Sequence, residues 1–352
     1  MQATRFQFHR WLQCGVCLVL AGLSIPEAAI AKNAEVLQRW TLGGVGGWDY
    51  LTFEAGTDRL FISRGTHVDV ISTDSGKLVG SIPDTLGVHG IALAASLKRG
   101  YTSNGRANTV TVFDLDTLKV IQEVKVSGSN PDAILYEPAG KHVFTFNGTS
   151  KDVTVLDAAT LNVLATIAVP GKPEFAADDG QGQIFVNIET DPGQLTVIDA
   201  RKLTVKATWP LPGCDSPSGL AIDNVHHRLF SVCDGKVMAV TDSLTGKQVA
   251  RVPIGEHPDA AAYDSKRGLV YSSNGEGNLT VVHQDTADRY SVVATVPTQL
   301  GARTMALDAA SGKVYLVTAD FGPPPPATEA QPRPRPTIKP DSFVVLVVGA
   351  ML

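Results

Sequence analysis

Seven polar residues recur along this 352-residue chain at intervals of 40 to 45, each opening a short apolar run: Asp49, His89, Asp132, Glu174, Ser218, Asp259 and, in the last case, Arg303 or Thr304. If a fold gathers them, their carboxylate oxygens would suit a hard divalent cation or a polar ligand rich in hydrogen-bond donors. Crowded carboxylates also raise one another's proton affinity, which would make one of them a general base. His89 is the only histidine of this series and the natural proton shuttle, although a histidine there also serves by structural hydrogen bonding alone. Catalysis, if there is any, falls on His89 and Glu174. A second polar series ends the strand that follows: Arg64, Asn104, Asn147, Asn187, Glu189, Asp234, Asn274 and Asp320, with Trp48 and His257 close by. From the two series the ligand-binding candidates are Asp49, His89, Asp132, Asn147, Glu174, Asp259, Asn274 and Arg303, and the metal candidates are Asp132, Glu174 and Asp259. The competing reading is structural, because Asp and Asn at strand starts and tight turns bond the backbone whether or not anything binds.

The elements that must position these residues are written in the same rhythm. The landmarks Trp48, His89, Pro131, Pro173, Pro217, Pro258 and Arg303 are separated by 41, 42, 42, 44, 41 and 45 residues. Each unit contains a short apolar strand, an Asp/Gly turn, an aromatic-led strand ending in a polar residue, a Thr/Val-rich strand and an outer strand. That period with four strands per unit predicts an all-β, seven-bladed β-propeller, since one small sheet cannot bury its faces until neighbours stack around a ring. Runs such as Thr109-Val110-Thr111-Val112-Phe113-Asp114 alternate as half-buried strands do. The Asp that closes each run caps a hairpin turn and is set aside as a catalyst. The seventh unit lacks its outer strand, and residues 35–43 carry that pattern without a blade of their own, so the N-terminal strand is expected to complete the last blade. Residues 32–352 then form one domain. Its one interruption is a proline-rich insertion, 322–340, expected to be a semi-rigid extended loop that is either a solvated excursion or a lid or docking arm.

Composition narrows the classes of function. Charged residues make up only 18% of the chain while Gly and Pro number 33 and 21, as a fold of many short strands requires. Residues 1–31 read as a secretory signal peptide, with Arg5 and Arg10 before an apolar stretch too short to span a bilayer, and cleavage after Ala31. A periplasmic or secreted protein with no integral membrane segment after signal removal is therefore expected. Without that segment 28 basic residues face 34 acidic ones, so there is no basic stripe for nucleic acid. Two cysteines remain, Cys214 and Cys233; in an exported protein they either pair as a disulfide or stay as separate buried thiols, depending on their separation. No zinc-protease, serine-hydrolase or phosphate-loop motif is present.

Each second strand ends on a recurring tetrad: Tyr101-Thr102-Ser103-Asn104, Phe144-Thr145-Phe146-Asn147 and Tyr271-Ser272-Ser273-Asn274 are the closest to one another, while Arg64, Ile188, Cys233 and Thr318 replace the final Asn elsewhere. With the Thr-Val-Thr-Val strand and the Pro-Asp entries at Pro131-Asp132 and Pro258-Asp259, the chain resembles the YVTN-repeat β-propellers over residues 34–350. The resemblance implies an exported seven-bladed ring, related in architecture to lactonases and to domains of quinone- or haem-linked enzymes. The leading functional expectation is a binding or scaffold module, a monomer that holds a protein, peptide or small polar ligand at its channel mouth. The alternative is a metal-dependent lactonase or lyase using the acidic rim; the third is an accessory to a quinone- or haem-linked oxidoreductase. No organic cofactor is expected, and a divalent cation is the one inorganic partner the rim would suit.

Overall fold

Strands rich in Val, Ile, Thr and aromatic residues, separated by Gly and Asp turns, pair into seven antiparallel four-stranded sheets. The computed structural model describes residues 34–328, 334 and 336–350, together with Gln2. Apart from Gln2, the segment read from sequence as a signal peptide lies outside the described residues, as does its expected cleavage point. Blades one to six run in chain order through residues 51–82, 88–125, 131–168, 172–211, 215–253 and 258–297. Blade seven takes its three inner strands from residues 305–350 and its outermost strand from Ala34–Thr41. Innermost strands of successive blades touch all the way round, and Leu51–Phe53 of blade one meets Met305–Asp308 of blade seven, which closes the circle. Among the described residues no helix is long and apolar enough to cross a membrane.

The Thr/Val alternation predicts strands with one buried face, and here the structure differs. In blade two both Arg99–Asn104 and Thr109–Asp114 are buried along nearly their whole length, whereas the outer strand Val120–Lys125 is largely exposed. Neighbouring blades cover the middle strands on both sides, so their threonines are buried as deeply as their valines. Those hydroxyls need partners. The Asn that ends the second strand supplies them: Asn104 donates to Thr109 and Thr111, and Asn274 to Asn278 and Thr280.

Ring closure rests on the pairing of Ala34–Thr41 with Val344–Ala350, from Ala34 opposite Ala350 to Thr41 opposite Val344, with a bulge between Val36 and Gln38. Trp40 extends the seal sideways. Its ring lies 5.9 Å from that of Tyr315, and it covers Gly76 in the outer turn of blade one, where a Cβ would come within 2.6 Å of the indole. Gly76 also holds a left-handed φ of +67°, which only glycine adopts freely.

Cys214 and Cys233 are joined by a disulfide within blade five, with their Cα atoms 5.2 Å apart. The proline-rich insertion starts as a short ribbon rather than a bare loop. Phe321 pairs with Ile338, the Gly322 amide donates to the Thr337 carbonyl, and the Lys339 amide donates to that of Asp320. Non-proline residues carry this ladder, which is how a proline-dense segment forms one. The Phe321 ring packs 6.1 Å from Trp48, beside the first of the seven entry positions; residues 329–333 and 335 of the insertion lie outside the described residues.

Removal of residues 34–41 would strip the partner from Val344–Ala350 and the cover from Gly76. The shortened protein is expected to melt about 10 °C or more below the parent, a loss of several kcal/mol at roughly 2–4 °C per kcal/mol for chains of this class. An unchanged melting temperature by circular dichroism would contradict this closure.

Candidate binding site at the channel mouth

In blades two to six the entry positions sit where the innermost strand departs from regular pairing, with register breaks between Val88 and Ile91, Pro131 and Ile134, Pro173 and Ala176, Pro217 and Leu220, and Pro258 and Ala260, whereas Asp49 and Arg303 lie just ahead of regularly paired strands. A bulge re-aims side chains but releases backbone groups from the ladder. Side chains of the second strands take up those groups. Ser103 accepts from the Gly90 amide at 2.9 Å and donates to the Asp132 carbonyl in the next blade. Asn187 donates to the Ser218 and Gly219 carbonyls at 3.0 Å each, Ser273 donates to that of Arg303, and Ser63 accepts from the Asp49 amide. The residues of the mouth are thus fastened blade to blade by hydroxyls and amides.

Three side chains from three blades converge. His89 Nδ1 lies 2.5 Å from Asp49 Oδ2 and 3.7 Å from Asp132 Oδ1, and one donor atom from each residue falls within 4.8 Å of the other two. On blade four Lys172 is held between Glu174 and Glu189, the latter at 2.5 Å. Across the ring Arg303 Nε meets Asp259 Oδ2 at 3.0 Å. Beneath this rim Tyr50 of blade one stacks on Phe175 of blade four, ring centroids 4.5 Å apart. The equivalent positions of other blades are Gly90, Ala133, Gly219, Ala260 and Thr304, and that smallness leaves space for two aromatic rings to meet across the axis. The Tyr50 hydroxyl is buried and has no hydrogen-bond partner among the described residues; an unsatisfied group of this kind costs about 1–3 kcal/mol.

Five carboxylates therefore face two fixed cations and one imidazole, and their proton affinities respond. Burial, then the neighbouring charge of Asp132, pushes Glu174 up to about 8 against the pull of Lys172. Burial likewise lifts Asp259 to about 7 despite Arg303, and raises Asp132 despite His89. Glu189 moves the other way: burial would raise it, but the bond to and charge of Lys172 outweigh that. For His89 burial disfavours the charged ring, yet the hydrogen bond to Asp49 and the charges of Asp132, Asp49 and Glu174 prevail and raise it. The Tyr50 phenol is held well above its ordinary range by burial and by the charges of Asp132, Glu174, Asp49 and Asp259.

Of the candidates from sequence, Asp49, His89, Asp132, Glu174, Asp259 and Arg303 line this mouth. Asn147 and Asn274 do not join them: each is fully buried and spends its amide inside its own blade, Asn147 on Asp152 and Thr154, Asn274 on Asn278 and Thr280. Arg64 is structural too, paired with Asp69 at 3.1 Å and lying 3.7 Å over the Phe343 ring. The seventh ring position is Arg303, half exposed on Asp259, and the Thr304 that follows it is buried in the place that Tyr50 holds in blade one. Asp132, Glu174 and Asp259, the three metal candidates, are spread over blades three, four and six, and the tight cluster forms at Asp49, His89 and Asp132 instead. Reasoning from sequence missed Tyr50, Phe175 and Lys172. The first two were detectable as bulky residues at a step where most repeats carry Gly or Ala.

No family model matches the chain, and no curated protein does. Among solved structures it is similar to hydrazine synthase of Kuenenia stuttgartiensis, with a TM-score of 0.69 and 19% identity over 77% of this chain and 92% of that one. At that identity the likeness is one of fold.

A carboxylate whose proton is held more tightly in the folded state favours folding at low pH and loses that contribution as pH rises. Glu174, ordinarily 4.5 and here about 8, should make stability decline across that window, with Asp259 acting in the same sense up to about 7. Denaturant midpoints measured from pH 5 to 8 are expected to fall in the parent and to fall less steeply in Glu174→Gln. Parallel slopes would show that Glu174 is not held in this way.

Proposed function

We propose that this chain is an exported binding propeller of the YVTN-repeat type whose channel mouth takes a small polar ligand bearing positive charge. The observation that carries the reading is the excess of carboxylate at the mouth over an aromatic floor. Lys172 and Arg303 are already engaged by Glu174, Glu189 and Asp259, so an incoming anion finds these cations taken while an ammonium or guanidinium group meets acceptors. The stacked rings of Tyr50 and Phe175 offer such a group further attraction if it reaches their faces. Membership of the repeat type is supported by the shared duty of Asn104, Asn147 and Asn274, each of which accepts from a hydroxyl two residues earlier and donates to the third strand. Export to the periplasm or beyond is supported by the composition of residues 1–31 and by the Cys214–Cys233 disulfide, a bond at home in oxidising compartments.

Calorimetric titration in buffer containing chelator, with small mono- and diamines set against carboxylates of matched size, tests this. Amines are expected to bind and carboxylates not. Asp132→Asn or Asp259→Asn should weaken binding about tenfold or more, the loss of one charge-assisted hydrogen bond. Binding of the carboxylates alone, or amine affinity indifferent to both variants, would refute the reading.

A further inference from the structure

We infer that the corner built by Asp49, His89 and Asp132 is a binding site for one divalent first-row transition-metal ion, with the partnerless Tyr50 hydroxyl buried nearby. The inference goes beyond the organic ligand proposed above and does not depend on that ligand's identity.

Three independent features support it. The first is the donor geometry: His89 Nδ1 is 2.5 Å from Asp49 Oδ2 and 3.7 Å from Asp132 Oδ1, with all three donors inside 4.8 Å. Nitrogen and oxygen ligands held about 2.0–2.2 Å from zinc lie roughly 3–4 Å from one another, so small side-chain movements suffice. The ion would take the place of the proton now shared by His89 and Asp49. The second is the phenol of Tyr50, which has no partner among the described residues and whose charged neighbours are Asp132, Glu174, Asp49 and Asp259. It is a buried oxygen within the field of the carboxylates without being one of them. The third is the packing behind the imidazole. A Cβ on Gly105 would lie 2.7 Å from both His89 Nε2 and Asn130 Oδ1, so the far edge of the ring rests on a bare backbone while Nδ1 faces the two aspartates. That packing limits rotation of the ring and keeps Nδ1 on the side of Asp49 and Asp132.

An imidazole with carboxylates favours zinc or manganese over calcium or magnesium, which bind to oxygen alone. Other His–Asp pairs, such as His226 with Asp223 and His283 with Asp285, offer two donors each, and no other group of three assembles among the described residues. Positions left open on the ion would face the mouth.

The test is titration of purified, metal-stripped protein with Zn²⁺ alone by calorimetry, and with Co²⁺ alone by visible absorption. One equivalent should bind, with cobalt bands of mixed nitrogen and oxygen ligation. His89→Gln and Asp132→Asn should each weaken zinc binding at least tenfold, and Tyr50→Phe severalfold. His226→Gln, far from the mouth, should leave it unchanged. Because the cobalt spectrum is read on the unaltered protein, the inference stays testable even if a variant misfolds. Absence of stoichiometric binding, binding that survives both His89→Gln and Asp132→Asn, or loss of binding in His226→Gln would overturn it. None of these results bears on the amine titration in chelator, so the two readings fail separately.

Discussion

A four-stranded sheet with apolar residues on both faces cannot exist alone in water, and the whole of this protein follows from how that constraint is met. Each blade buries its middle strands against the next, and the series ends well only if the last blade meets the first. The strand Ala34–Thr41 makes that possible by pairing with Val344–Ala350 and by laying Trp40 over blade one. An open edge is thereby removed and the two ends of the described chain are joined through backbone hydrogen bonds. Without the circle there is no axis for the seven entry positions to surround.

Closure has a chemical consequence. Rotational repetition brings carboxylates that are 40 or more residues apart in sequence into one small volume, where each raises the proton affinity of its neighbours. The protein accommodates this with Lys172 and Arg303, with the proton shared by Asp49 and His89, and with raised carboxyl groups at Glu174 and Asp259. Such crowding is unfavourable for folding. Its concentration at the mouth is what makes that end of the ring the candidate site.

The same repeat divides labour between the two polar series. Those at the strand entries leave the ladder and face the axis, held by Ser63, Ser103, Asn187 and Ser273. The asparagines at the ends of the second strands look equally exposed on paper, yet they turn inward to satisfy threonines buried between blades. Asn147 and Asn274 belong to this second class because a middle strand covered on both faces has no solvent to bond its hydroxyls.

What the sequence by itself determined was periodic: the number of blades, the entry series and the leading strand that completes the last blade, all consequences of strand patterning and of edges that must be paired. It also named six of the residues around the mouth. Only the tertiary structure decided which of them touch, because contact between Asp49, His89 and Asp132 depends on how the bulges at His89 and Asp132 rotate those side chains and on where ring closure sets Asp49, neither of which has a one-dimensional trace. The floor made by Tyr50 and Phe175 likewise exists only because blades one and four face each other across an axis lined elsewhere by glycine, alanine and threonine.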